Sequence, residues 1–233
     1  MLPIGDDNIK GQGPAFVTLS FLALNIVAFF VEINQPSQAA LQAFVEAWGV
    51  VPLEFTEGRD LPPTIPYPIW STLFTSMFLH GGWGHLFGNM LFLWVFGDNV
   101  EHRIGHVRFF VFYLATGVAA SLAHIFFNAG SIVPTVGASG AISGVLGGYL
   151  VMFPRNRVYV LTWGGVAAVP AVFMLGLWIF IQFINGAGSL ATTPETGGGG
   201  VAYLAHIGGF IAGMILGPLL GVGQPAPKIP RSL

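Results

Sequence analysis

The chain has 233 residues, of which 54% are hydrophobic and only 8% are charged, and its formal net charge is -2. Soluble globular domains carry about 25% charged residues, so a chain this apolar is expected to be an integral membrane protein. Because it has no cysteine and no basic stripe, disulfides, thiol catalysis and thiolate metal sites are excluded and nucleic acid is not expected as a partner.

Six apolar segments follow one another along the chain. Each is predicted to be a helix, because a helix satisfies its own backbone hydrogen bonds in lipid and an open sheet does not. The segments span residues 15–33, 83–96 with a continuation toward Arg103, 107–127, 139–153, 166–184 and 201–222. The apolar part of the polar stretch between the first two, residues 41–51, is expected to lie on the outer leaflet or form an interfacial helix.

No long repeat and no room for a soluble domain are evident, so residues 1–233 are predicted to form one membrane domain. Polar tails are expected at residues 1–13 and 223–233. The predicted fold class is an all-α membrane protein, a bundle of six transmembrane helices with a short fourth helix.

The positive charges predict the orientation of such a bundle. With six spans, seven of the eight Lys and Arg residues lie on one side and only Arg59 lies on the other, among several acidic residues. Cytoplasmic loops of membrane proteins carry the excess of Lys and Arg. Both termini are therefore expected in the cytoplasm, and a multi-pass position in a bacterial inner membrane is expected. The seven residues are Lys10, Arg103, Arg108, Arg155, Arg157, Lys228 and Arg231.

The fourth segment is too short to cross a bilayer. A helix from Ser139 to the boundary at Pro154 rises roughly 22 Å, against a hydrocarbon core about 30 Å thick. Ser139 should therefore lie roughly 8 Å below the outer edge of the hydrocarbon. The same measure puts His206 and Asn89 at nearly that depth, with His85 one turn above Asn89.

A layer of intramembrane polar side chains indicates a functional site, because each is costly in lipid unless paired or hydrated. A serine hydroxyl becomes a good nucleophile when an imidazole accepts its proton, and His206 is the expected base for Ser139. Asn89, His85 and the backbone N–H of Ser139 are the expected donors to an oxyanion. Since no Asp or Glu lies near this layer, the site would be a Ser-His dyad in which packing holds the His206 ring.

Other interpretations of these residues are structural. Gly140, Gly144 and Gly148 form a ladder of small residues, a pattern that brings membrane helices together. A second ladder lies in the sixth segment, so the fourth and sixth helices are expected to touch; its members are Ala205, Gly209, Gly213 and Gly217. A metal site at His85 and His206 would lack a third ligand and is not expected. Asp98, Glu101 and Arg103 are interpreted as a structural cluster, with an ion pair as one option.

Three short motifs, taken in order, resemble the rhomboid intramembrane serine proteases. "HGGWGHLFGNM" at residues 80–90 is similar to the family's His-xxx-Asn helix, "GASG" at 137–140 to its Gly-x-Ser-Gly motif, and "AHIGGF" at 205–210 to its Ala-His-x-x-Gly motif. "GDNVEHRIG" at 97–105 is similar to the acidic-basic end of the family's second helix. The chain departs from the family pattern at Ser71, where an arginine is common, and at Ser143, where some members carry a tyrosine stacked on the histidine.

The resemblance implies that Ser139 is the nucleophile and His206 its general base. It implies an oxyanion hole of His85, Asn89 and the Ser139 amide, with Gly137 shaping the loop, and hydrolysis of transmembrane protein substrates without metal or cofactor. The fifth helix and residues 186–200 would gate entry from the bilayer, with Phe173, Trp178 and Phe180 as candidate gate side chains. The oligomeric state is left open. The alternatives are a catalytically inactive rhomboid-like protein that binds transmembrane segments, and a small transporter.

Overall fold

The computed structural model describes residues 2–7, 13–190 and 202–223, except for the side chains of 189 and 190. In chain order, strand β1 (Leu2–Asp6) precedes helices α1 (Phe16–Ile33), α2 (Gln38–Trp48), α3 (Pro52–Glu57) and α4 (Thr72–Thr75), the last flanked by 3-10 turns. Then come α5 (Trp83–Ile104), α6 (His106–Phe127), α7 (Ser139–Met152), strands β2 (Arg157–Thr162) and β3 (Gly165–Pro170), and helices α8 (Ala171–Leu190) and α9 (Tyr203–Gly221).

Each of the six apolar segments overlaps one helix of at least 14 residues. Four helices are long and apolar enough to cross a membrane, namely α1, α6, α8 and α9. Helix α7 is shorter, with 14 residues and a length of about 21 Å, in agreement with the predicted short fourth helix. Helix α5 carries charged residues in its last two turns, among them Asp98, Glu101 and Arg103. The protein is therefore a mostly helical, multi-pass membrane protein.

A three-stranded antiparallel sheet in the order β1-β2-β3 lies beside the helices. The prediction of an all-α chain is wrong in this respect. Strands β2 and β3 form a hairpin around a two-residue turn, with Thr162 paired to Gly165. Val158 and Val160 point into the core and are fully buried, whereas Leu161 is exposed, which is the alternation expected of a half-buried strand.

The sheet also corrects two of the predicted boundaries. The fifth helix begins at Ala171 instead of residue 166, because residues 165–170 pair with β2. The expected N-terminal tail, residues 1–13, contains strand β1, in which Leu2 pairs with Leu161 across the sheet.

Helices α7 and α9 pack backbone to backbone through the two predicted glycine ladders. A Cβ atom added to Gly213 would lie 1.9 Å from the carbonyl oxygen of Gly144. A Cβ atom on Gly147 would lie 2.1 Å from the carbonyl oxygen of Phe210. Only hydrogen fits at these positions, so the predicted contact between the fourth and sixth helices is confirmed.

Glu101 on α5 holds the first turn of α1. Its carboxylate accepts hydrogen bonds from the backbone N–H of Val17 at 2.9 Å and from that of Thr18 at 2.7 Å. These N–H groups have no acceptor inside α1, and the helix N-terminus favours a negative charge. Arg103 instead donates to the carbonyl oxygen of Gly221, so among the described residues no ion pair joins it to Asp98 or Glu101.

Four of the described arginines separate toward the two ends of the bundle. Arg103 and Arg108 donate to backbone oxygens at the end of α9, and Arg157 pairs with Asp7. Arg59 follows α3, which bonds to Ser131 beyond the other end of α6. Lys10, Lys228, Arg231, the 224–233 part of the predicted C-terminal tail and residues 191–200 of the predicted gate loop lie outside the described residues.

Candidate active site

The loop before α7 is fixed by backbone hydrogen bonds to the long first loop. Val50 and Thr135 exchange two such bonds, of 3.0 and 2.8 Å. Gly137 donates its N–H to the carbonyl oxygen of Ser76 at 2.8 Å. Its φ of 127° is unfavourable for any residue with a Cβ atom, so glycine is required at this turn. These contacts set the position of Ser139, which is the first residue of α7.

Ser139 and His206 are in direct contact. The Oγ atom of Ser139 lies 2.8 Å from Nε2 of His206, although the two residues are 67 positions apart. His206 lies in the first turns of α9 and is only 7% exposed. Since Ser139 begins a helix, its own N–H has no intrahelical acceptor and remains available to a ligand. The pair has the geometry of a nucleophile and its base.

The His206 ring is held by three side chains. Its Nδ1 atom lies 2.8 Å from Oε1 of Gln182, which belongs to α8. Trp178 covers one face, with ring centroids 5.9 Å apart, and Tyr203 contacts the ring edge-on at 6.5 Å. Trp178 thus packs against the His206 ring, whereas Ser143 donates to the carbonyl oxygen of Ser139 at 2.6 Å.

Gln182 was missed by the sequence analysis, which expected packing alone to orient the base. The signal was present, because Gln182 is the only residue with an amide, hydroxyl or charged group between positions 171 and 184. A lone polar side chain inside an apolar span indicates a functional contact.

His85 lies against Gly137. A Cβ atom on Gly137 would be 2.8 Å from Nε2 of His85, so the missing side chain makes room for the imidazole. Nδ1 of His85 accepts the N–H of Gly81 at 3.3 Å, which assigns the proton of the neutral ring to Nε2. The protonated nitrogen of His85 therefore lies on the side of the ring that faces the loop before Ser139.

Asn89 lies one turn below His85 on the same face of α5. It is 7% exposed, and its side-chain Nδ2 has no hydrogen-bond acceptor among the described residues. Buried donors are normally paired, so an unpaired one requires an explanation. A donor reserved for a ligand oxygen is such an explanation.

A small cavity of about 20 Å³ adjoins Ser139 on the side of α6. Its lining includes polar side chains as well as Gly137 and Gly140; the polar ones are Ser76, Ser121, His124, Thr135 and Ser139. A cavity of this size that is partly lined by polar side chains has room for one water molecule.

The three candidate gate side chains occupy different environments. Phe173 and Phe180 are 68% and 60% exposed on the outer face of α8, whereas Trp178 packs on His206. Within the described residues no group of three His, Cys, Asp or Glu side chains is placed to hold a metal ion.

Comparisons with known proteins agree with the motifs. Residues 68–222 match the model of the rhomboid domain. The chain is 34% identical over 215 residues to "Rhomboid protease GluP" of Bacillus subtilis, covering 91% of this chain and 36% of that protein.

Organellar proteins are similar over a shorter range. "Rhomboid-like protein 11, chloroplastic" of Arabidopsis thaliana is 31% identical over 64% of this chain and 52% of its own length. "Rhomboid protein 1, mitochondrial" of Saccharomyces cerevisiae is 32% identical over 61% of this chain and 39% of its own length. The chain thus spans between 36% and 52% of the length of these three relatives.

Proposed function

Because this chain belongs to the rhomboid family, we propose that it is an intramembrane serine endopeptidase that hydrolyses peptide bonds in or near the transmembrane segments of other membrane proteins. The observation that carries the proposal is the hydrogen bond of 2.8 Å between Ser139 Oγ and His206 Nε2. A buried imidazole facing a helix-terminal serine is the minimal arrangement for nucleophilic acyl transfer.

In the acylation step, Ser139 Oγ attacks the scissile carbonyl carbon while its proton moves to His206 Nε2. The carbonyl oxygen becomes an oxyanion, which accepts hydrogen bonds from the Ser139 N–H, His85 and Asn89. When the tetrahedral intermediate collapses, the C–N bond breaks and His206 returns the proton to the leaving amine. The product is an acyl-enzyme ester on Ser139.

In the deacylation step, water attacks the ester carbonyl and gives its proton to His206. The ester bond breaks, the Ser139 oxygen takes that proton, and the carboxylic acid leaves. Hydrolysis within lipid needs a supply of water, and the cavity beside Ser139, which is partly lined by polar side chains, has room for one water molecule. No metal or cofactor takes part in either step.

Substrates are proposed to enter laterally from the bilayer past α8, and both termini are proposed to be cytoplasmic in the inner membrane of a bacterium. A substrate helix must unwind before its carbonyl is exposed, so small residues and helix breakers are expected at the cleavage site. Cleavage that persists after consecutive leucines are inserted there would contradict this preference.

The proposal is tested by labelling the purified protein with a fluorophosphonate probe, which reacts with activated serines. Labelling should disappear in Ser139→Ala and in His206→Ala. Ser143→Ala is the matched control, because Ser143 lies one turn away on the same helix, and it should still be labelled. Absent labelling, or equal labelling of the wild type and the Ser139→Ala variant, would favour an inactive rhomboid-like protein or a transporter.

A further inference from the structure

We propose that Gln182 is the positioning residue of the base, so that α8 supplies a third member to the Ser139–His206 pair. This inference rests on the proposed function and deepens it. The amide of Gln182 is 8% exposed, and its Oε1 atom lies 2.8 Å from Nδ1 of His206. An amide oxygen only accepts hydrogen bonds, so this contact requires the proton on Nδ1.

The position of that proton determines whether His206 works as a base. With Nδ1–H donated to Gln182, Nε2 carries the lone pair, and Nε2 is the atom that faces Ser139 Oγ. The opposite tautomer would direct an N–H toward the serine and could not accept its proton. With its amide oxygen toward the ring, Gln182 thus stabilises the competent tautomer and fixes the plane of the ring.

Packing alone does not account for the contact, because the environment of α8 disfavours an amide. The neighbouring Ile181 and Phe183 are 44% and 50% exposed on the apolar outer face of the helix, whereas Gln182 points inward. An amide in such a span is costly unless it is paired. Among the described residues, the hydrogen bond to His206 provides the pairing.

An amide differs from a carboxylate at this position because it orients the ring without stabilising the imidazolium by charge. Among the described residues, the titratable groups that face His206 are His85 on α5, His124 on α6 and Tyr203 on its own helix, and none of these is a carboxylate. The site therefore depends on geometry, and loss of the Gln182 contact is expected to slow the reaction by about tenfold to a hundredfold, at or below the lower end of the contribution of a general base.

Helix α8 carries two of the side chains that hold the His206 ring. Trp178 and Gln182 both lie on α8, so a movement of α8 away from α9 would remove the packed indole ring and the hydrogen-bond acceptor of His206 together. The base is therefore oriented only while α8 lies against α9. Catalysis would require α8 to return to this position after a substrate enters.

The test compares two substitutions at the same position. Gln182→Met keeps the length of the side chain and removes the acceptor, whereas Gln182→Glu keeps an acceptor and adds a charge. Ile181→Met, on the outer face of α8, is the matched control. For each variant we would measure kcat and KM on a transmembrane substrate, and the rate of fluorophosphonate labelling between pH 5 and pH 9.

Gln182→Met should lower kcat by about tenfold to a hundredfold with little change in KM, and Ile181→Met should behave as the wild type. Gln182→Glu should recover most of the rate. The acidic limb of its pH profile of labelling rate should move to higher pH, because a carboxylate stabilises the imidazolium form of His206.

Two results would overturn the inference while leaving the proposed function intact. One is a Gln182→Met variant as fast as the wild type. The other is equal slowing in both Gln182 variants with an unmoved acidic limb, which indicates packing alone. A wild-type protein that shows no labelling at Ser139 would instead end the proposed function, and this inference with it.

Discussion

Gly209 on α9 approaches Gly140 on α7 so closely that a Cβ atom on Gly209 would lie 2.1 Å from the carbonyl oxygen of Gly140. Gly140 follows Ser139 in the chain, and His206 lies one turn before Gly209 on the same helix. The glycine contact therefore brings the two backbones to the separation at which the Ser139 hydroxyl and the His206 imidazole meet. Helix packing and the geometry of the candidate catalytic pair depend on the same residues.

This relationship predicts the effect of a single methyl group. Gly209→Ala should force α7 and α9 apart, destabilise the fold by about 1–3 kcal/mol and lower fluorophosphonate labelling of Ser139. Thermal unfolding and labelling rate would be measured together. Gly176→Ala is the control, because a Cβ atom there meets nothing within 4 Å. A Gly209→Ala protein with wild-type labelling would show that the pair does not depend on this contact.

Asn89 is predicted to act on the rate without acting on stability. Asn89→Ala should slow turnover by about a hundredfold, as expected when one oxyanion donor is removed. The melting temperature should not change, because Nδ2 has no acceptor among the described residues. Asn25→Ala, which alters a buried asparagine on α1, should leave the rate unchanged. A large loss of rate with a lower melting temperature would instead assign Asn89 a structural role.

Much of the candidate site could be predicted from the sequence, because the depth of a residue in the membrane follows from its number of residues along a helix. A rise of about 1.5 Å per residue places Ser139 and His206 at one level, and the glycine ladders indicate that their helices touch. The same measure was not applied to Gln182. Counted from Ala171, Gln182 lies roughly 17 Å along α8, within about one and a half helical turns of the level of the other polar residues.

The sheet could not be predicted with the same ease. Strand β1 pairs with β2 across more than 150 positions of the chain, and no local pattern indicates such a partner. The apolar residues of β2 and β3 were also consistent with the ends of membrane helices. The alternation of buried Val158 and Val160 with exposed Leu161 is a signal, but it covers too few residues to distinguish a strand from a helix end.

If substrates enter past α8, a disulfide between α8 and α9 should slow cleavage of a transmembrane substrate but should leave labelling by a small probe unchanged. A Cβ atom on Gly186 would lie 3.5 Å from Cβ of Tyr203, within the range that a disulfide spans. The chain has no cysteine, so Gly186→Cys with Tyr203→Cys introduces a unique pair. When oxidised, this variant should still react with a small fluorophosphonate but should cleave a transmembrane substrate at least about tenfold more slowly.

Reduction should restore cleavage in the same sample, which controls for damage to the fold. Tyr203→Cys alone is the second control, because Tyr203 contacts the His206 ring. Equal cleavage by the oxidised and reduced forms would mean that substrates do not enter between α8 and the rest of the bundle.

Asp6 predicts a pH dependence of stability that is independent of the candidate site. Its carboxyl group accepts hydrogen bonds from Tyr149 and, at 2.7 Å, from Asn99, and so attaches β1 to α5 and α7. Burial raises the pKa of Asp6 from 3.8 to about 7, and the Tyr149 hydrogen bond offsets part of that rise. The folded protein therefore binds this proton more tightly than the unfolded chain does.

The contribution of this proton to the free energy of unfolding is fully present below about pH 4 and is lost as the pH rises through 7. Between these two values Asp6 is protonated in the folded state but ionised in the unfolded chain. The melting temperature of the wild type should therefore fall between pH 5 and pH 8, by about 2–4 °C for each kcal/mol lost. The melting temperature of the Asp6→Asn variant should fall less over that interval, since an amide does not titrate. Glu46→Gln, on the surface helix α2, should follow the wild type. Parallel curves for the wild type and Asp6→Asn would show that Asp6 does not hold a proton in the folded protein.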